Sequence, residues 1–187
     1  MMLSTNRIYI RKLELSDAEA LYELRTRNLK YFQPFEPIRP DAYYTLEGQK
    51  EKIEKNLRKW ENDSGYSFGI FLASTDQLIG QVNLSHIVRA AFQNATIGYL
   101  MDHSMQRKGY TTEAVTLALD FAFNQAGLHR VEAAIMPRNT ASIRVDEKVG
   151  FLYVGLSKYY LQINGVWEDH HIYAITQETW QEKSLNN

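Results

Sequence analysis

The chain has 187 residues, 44% hydrophobic and 23% charged, which suits one globular domain with a substantial core and excludes disordered or collagen-like classes. It contains no cysteine, so disulfides, thiolate metal sites and acyl transfer through a sulfur-linked intermediate are ruled out. A formal charge of −1 provides no field to draw the chain onto nucleic acid, and without a signal-like start or a long apolar run a cytoplasmic protein, with no membrane role, is expected.

Taken in chain order, Asn6 to Leu15 sets Ile8, Ile10, Leu13 and Leu15 among polar residues with one slip of phase near Lys12, which predicts a half-buried, bulged strand. Ser16 and Glu19 have capping-box spacing, and Ala20, Leu21, Leu24 and Leu29 continue a helical stripe, so a helix is expected from Ser16. Tyr31 to Pro40 holds three of the four prolines and reads as an irregular, aromatic loop that either lines a pocket or folds onto the core. Glu47 to Asn62 aligns Ile53, Leu57 and Trp60 on one face and predicts an amphipathic helix whose charges face solvent.

The runs S-F-G-I-F-L-A and L-I-G-Q-V-N-L-S, joined by S-T-D-Q, predict a hairpin. Thr96 to Met101 predicts a strand that runs through D-H-S-M-Q-R-K-G-Y-T into a helix over Thr112 to Ala126, ended by Gly127. Arg130 to Met136 alternates as a strand stopped by Pro137, and Asn139 to Val149 predicts a short helix closed by Gly150. A last hairpin turns at Asn164-Gly165, a pair that accepts positive φ, and the polar tail after Trp180 is expected to fray.

The strand, loop and helix around Gln106 to Thr111 can aim backbone N–H groups at an anion such as pyrophosphate, with Gly109 permitting close approach and Arg107 and Lys108 adding charge. No G-x-x-x-x-G-K-[ST] and no G-x-G-x-x-G after a strand is present, which disfavours nucleoside triphosphates and dinucleotides. Q-R-K-G-Y-T instead resembles the acetyl-CoA pyrophosphate loop of GNAT N-acetyltransferases, pattern Q/R-x-x-G-x-G/A, departing only at Thr111. P-R-N-T-A-S-I-R-V-D-E-K-V-G-F, from Pro137 to Phe151, resembles the next motif of that family, in which an Asn opening a short helix contacts pantetheine. The segments N-L-K-Y-F-Q-P-F-E-P-I-R, N-L-S-H-I-V-R-A-A-F and K-Y-Y-L-Q-I-N-G-V-W-E-D-H extend the resemblance to the RimJ/RimL branch, the ribosomal-protein-alanine N-acetyltransferases, with RimJ the nearer type.

This resemblance implies one α/β (α+β) GNAT domain over 1–187, a twisted mixed sheet of about seven strands with four or so helices, and central strands splayed to hold acetyl-CoA. It implies cofactor contacts from Leu100, Met101, Gln106, Arg107, Lys108, Gly109, Tyr110, Thr111, Asn139 and Ser142. The acceptor is then the N-terminal amine of a ribosomal protein, a homodimer is plausible, and no metal is expected. A small-amine acetyltransferase and a non-catalytic acyl-CoA-binding or ribosome-associated module are the alternatives.

Direct attack on a thioester needs a deprotonated amine, a stabilised oxyanion and a protected thiolate. An α-amine with a pKa of about 7.7 to 8.0 asks for only a modest base. The oxyanion falls to a backbone N–H near Leu100 or Met101, and the thiolate to Ser142, which matches a serine that RimL offers to the cofactor sulfur; Ser142 acting only as a helix cap is the competing reading. Asp146 stands where many GNAT enzymes carry a Tyr acid, and it is expected to be ionised. Glu36, between aromatics and prolines, is the first candidate base and His170, beside Asp169, the second, although strand neighbours point to opposite faces and a surface pair is the plainer reading there. Phe35, Glu36, His86 and Arg89 are the candidates for lining the acceptor groove.

Overall fold

The computed structural model describes residues 1–185. Its strands are β1 (Met2–Ser4), β2 (Ile8–Arg11), β3 (Tyr66–Leu72), β4 (Leu78–Val88), β5 (Asn94–Met101), β6 (Arg130–Ile135), β7 (Leu152–Ile163) and β8 (Val166–Thr176). The helices are α1 (Ala18–Arg27), α2 (Leu29–Phe32), α3 (Leu46–Glu61), α4 (Tyr110–Asn124), α5 (Thr140–Val149) and α6 (Gln177–Leu185). The strands form one eight-stranded sheet in the order β1-β2-β3-β4-β5-β6-β8-β7. Every pairing is antiparallel except β5 with β6, so the sheet is mixed, as expected.

Two clusters of buried side chains hold the helices to the sheet. The larger includes Ile8, Phe68, Ile70, Val82 and Ile97 from the strands and Val115, Leu119 and Phe121 from α4. The smaller joins Leu21 and Leu24 of α1 and Ile53 of α3 to Leu13, Phe71 and Leu78. Strand β3 feeds both, Phe68 and Ile70 into one and Phe71 into the other, as the alternation of side chains along a strand requires.

Several expectations need correction. Strand β1 precedes the first predicted strand, and β2 ends at Arg11 rather than Leu15. The cap before α1 is formed by Glu14 and Asp17 around a 3-10 turn over Leu15–Asp17, not by Ser16 and Glu19. The proline-rich stretch is partly helical, through α2 and a 3-10 turn at Gln33–Phe35. Helix α4 starts at Tyr110, two residues early, because Gly109 takes φ of 85° and lets the helix begin at once. The tail forms α6 up to Leu185, anchored by Trp180 against Phe123 and by Gln177 N–H on the His129 carbonyl; residues 186 and 187 lie outside the described chain. The turn at Asn164 and Gly165 has φ of 47° and 83°, as that dipeptide predicts.

Candidate active site

Strands β5 and β6 pair only at Asn94 with Arg130, Ala95 with Val131 and Thr96 with Glu132. Beyond Thr96 they diverge, and a cavity of about 560 Å³ opens between Ile97–Met101 on one side and Ala133–Met136 on the other. The phase of the β4–β5 ladder is set by Asp102 N–H donating to the Ile79 carbonyl at 2.8 Å. In an antiparallel pair that phase turns the Leu100 N–H towards β4, where Leu100 faces Gln81, and leaves the N–H groups of Tyr99 and Met101 directed at the gap. Of the two candidates for the oxyanion, Met101 has the required direction.

The loop after β5 closes one end of the cavity. Asp102 accepts from Ser104 N–H at 3.0 Å and Arg27 Nε at 2.7 Å, while Asn28 Oδ1 accepts from His103 N–H, so the end of α1 fixes where the loop begins. Burial pushes the Asp102 carboxyl up, but Arg27 and Ser104 outweigh it and hold it below the usual carboxylate range. Arg7 then grips the loop from outside, donating to the Lys108 carbonyl at 2.9 Å and pairing with Glu113. Gly109 is needed twice over, since its φ is positive and an added Cβ would meet the Arg7 guanidinium at 3.1 Å. The first N–H groups of α4, at Tyr110, Thr111 and Thr112, have no intrahelical acceptor and lie at the cavity wall beside Arg107. Gln106 also lines it, held by Tyr31. Lys108 does not: its ammonium turns to Met105 at 3.7 Å.

Helix α5 forms the opposite wall. Asn139 caps it, accepting from Ser142 N–H at 3.3 Å, which leaves the Ser142 hydroxyl out of the capping role. Ser142, Arg144 and Val145 line the cavity. Asp146 is fully buried, and its Oδ1 lies 2.7 Å from the Tyr99 hydroxyl, which is also 3.1 Å from the Ser142 carbonyl. A phenol has one proton, so the Tyr99 hydroxyl donates to Asp146 Oδ1 with the Ser142 carbonyl as a second, longer acceptor. Asp146 Oδ2 has no partner, a state tolerable for a neutral acid and costly for a carboxylate. Burial accordingly raises the Asp146 carboxyl to about 7, and burial together with Asp146 raises Tyr99 well above the ordinary phenol. Asp146 therefore holds a proton far more readily than the ordinary carboxylate expected from the sequence, and a tyrosine hydroxyl reaches α5 from β5 instead of from the helix itself.

A second cavity, of about 370 Å³, lies across β5 and shares Phe35, Glu36, Gly98, Tyr99 and Leu100 with the first. The two spaces meet at this seam. Glu36 lines both cavities and is paired: it accepts from the 6%-exposed Arg25 at 2.7 Å, and its carbonyl accepts from Asn164 N–H. His170 is buried rather than superficial, lines the first cavity, and places Nδ1 3.0 Å from the Glu168 carbonyl; donation there leaves Nε2 as the basic nitrogen. Asp169 does not orient it, because that carboxylate accepts from Tyr159 N–H. His86 and Arg89 reach neither cavity: His86 is exposed, and Arg89 is bound by Asp63, Tyr66 and the Ala126 carbonyl, a structural tie between β4 and the end of α4.

With this geometry in place, residues 7–152 match the family described as the acetyltransferase (GNAT) domain. The chain belongs to the GNAT acetyltransferase family. It is 49% identical to the probable N-acetyltransferase YjcK of Bacillus subtilis over 174 residues, 93% of this chain and 96% of that relative. The structure of the ribosomal-protein-S5-alanine acetyltransferase of Vibrio fischeri superposes with a TM-score of 0.90 at 32% identity, covering 96% of this chain and 98% of that one. RimJ of Mycobacterium smegmatis, solved in complex with CoA-disulfide, gives a TM-score of 0.88 at 27% identity, with 96% and 88% covered. The splayed strands, the loop at Gly109 and the helix opened by Asn139 are thus the parts of a GNAT domain, and the RimJ/RimL resemblance extends over nearly the whole chain.

Proposed function

We propose that this protein transfers the acetyl group of acetyl-CoA to the N-terminal α-amine of a protein, with a ribosomal protein as acceptor. The observation that carries the reading is the seam at Gly98–Leu100, where a cavity suited to the cofactor meets a second cavity with room for an acceptor. The residues present fit acetyl-CoA: the α4 N-terminus and Arg107 suit its pyrophosphate, and the unpaired edges of β5 and β6 suit the amides of its pantetheine arm. When bound, the cofactor supplies an activated acyl carbon. Met101 N–H would face the thioester carbonyl oxygen, the Ser142 hydroxyl would donate to the thioester sulfur, and Glu36, which lines both cavities, would accept the amine proton. His170 is the alternative base.

The names of the relatives support a protein acceptor, since the Vibrio fischeri protein acts on S5 alanine. Among small amines a polyamine is disfavoured, because Arg25, Arg39, Lys52 and Lys59 line the second cavity against the one carboxylate of Glu36. No helix among the described residues is long and apolar enough to cross a membrane. An exposed apolar surface on β7 supports a homodimer.

The test is single-turnover transfer from acetyl-CoA, followed by mass, to peptides with free N-terminal Ala, Ser or Met and to small amines. Transfer to the Ala or Ser peptides is expected. Transfer to small amines alone would move the acceptor class, and CoA binding without any transfer would leave an acyl-CoA-binding module.

A further inference from the structure

Helix α3 was expected to carry only solvated charges, but Lys52 turns its ammonium inward and donates to Gln81 Oε1 at 3.1 Å. Gln81 is fully buried in β4, opposite Leu100. Because lysine only donates, it fixes the Gln81 amide with Oε1 towards Nζ, and Gln81 Nε2 is left as a buried donor without an acceptor. Arg25 Nε is a second such donor.

Around these groups the cations converge on one ring. The centroid of Tyr43 lies 5.3 Å from Arg25 Cζ, 5.4 Å from Lys52 Nζ and 5.5 Å from Arg39 Cζ. Three like charges so close repel one another, and the π face of one tyrosine together with Glu36 does not balance them. All five residues line the second cavity. Burial, reinforced by Arg25 and Arg39, holds the Lys52 ammonium well below the usual lysine range even with Glu36 opposing, as is expected of a cation that lacks a counter-charge.

We propose that this cavity selects an acceptor whose amine is followed by a carboxylate, an acidic side chain at the second or third position of an N-terminal peptide, held by Lys52, Arg39 and Arg25. The inference rests on the acetyltransferase reading above. With the amine at the seam beside Leu100, the Lys52–Gln81 pair stands across the neighbouring strand, within reach of the next one or two residues of an extended acceptor. The incoming carboxylate supplies the missing negative charge and accepts from donors that now crowd one another.

The test compares peptides that differ only in Glu, Gln or Lys at position two, with a second set varied at position three, in both turnover and calorimetric binding to the CoA-loaded protein. A preference of at least about tenfold in kcat/KM for Glu over Gln is expected in one of the sets, with Lys weaker still. Lys52→Met should shrink that ratio to about threefold or less, Lys52→Arg should keep it, and raising salt should erode it. Equal treatment of Glu and Gln in both sets, or a preference for Lys, overturns the proposal even if the variants fail to fold, because the wild-type peptide series alone decides it. Transfer without preference leaves the acetyltransferase reading standing and removes this one. Preferential binding of the Glu peptide without transfer supports this one and removes the other.

Discussion

Asp146 ties a buried proton to the stability of the cofactor helix. Its carboxyl is raised from 3.8 to about 7, so the folded chain keeps a proton that the unfolded chain releases. The stability this provides is complete below about pH 4 and is lost as pH rises through about 7, a change on the order of 4 kcal/mol at 1.36 kcal/mol per unit. Asp146→Asn, neutral at every pH and still able to accept from Tyr99, should flatten this dependence and be the more stable protein at pH 8. Melting temperatures of both proteins from pH 5 to pH 8 check it, and parallel slopes would show Asp146 ionised throughout.

In the proposed mechanism Glu36 serves proton removal and Ser142 serves sulfur departure. Glu36→Gln should lower kcat by about 10² or more with acetyl-CoA binding retained, whereas His170→Gln should have the smaller effect. The reverse order in pre-steady-state assays would transfer the base to His170. The place of Glu36 at the cavities was legible in the sequence, because an aromatic, proline-rich loop suits a pocket wall. The inward turn of Arg25, Lys52 and Asp146 was not, since each lies on a helix whose other charges face water, and only the packing of that helix decides which charge turns inward.

At the scale of elements, local chemistry made the hairpins and the α4 and α5 motifs readable. Asn164-Gly165 dictates its own turn, and Asn139 and Gly150 bracket α5 from either end. What escaped were β1, three residues long, paired with β2 and packed by Leu3 against the core, and α6, whose polar composition hides an anchor formed by Trp180 in three dimensions. Gly109 governs the phosphate-facing loop. Gly109→Ala places a side chain at positive φ and against Arg7, which should cost about 1–2 kcal/mol in stability. It should raise KM for acetyl-CoA several-fold with a smaller change in kcat; unchanged KM would mean that the loop does not approach the cofactor.

For the whole molecule, β7 is the exposed margin of the sheet. Tyr159, Leu152, Val154 and Trp167 of the β7–β8 hairpin are 72%, 62%, 58% and 57% exposed, an apolar surface of the kind that marks an association site. A bulge between Ser157 and Leu161 interrupts the ladder there, which directs contact to side chains rather than to an added strand. Light scattering should give twice the 21.7 kDa of one chain, and Val154→Lys should return the mass to a monomer with kcat preserved. A monomeric wild-type protein would refute the homodimer.

The short pairing of β5 with β6 makes the sheet two wings joined by three residue pairs and otherwise held together by the helices packed across them. Amide protons at Tyr99, Met101 and along the facing edge of β6 then lack the protection that a continuous sheet confers, and they should exchange with deuterium quickly in the empty protein. A ligand that bridges the wings would slow that exchange on both strands at once, so the cofactor acts as a structural rivet of the sheet as well as a reactant.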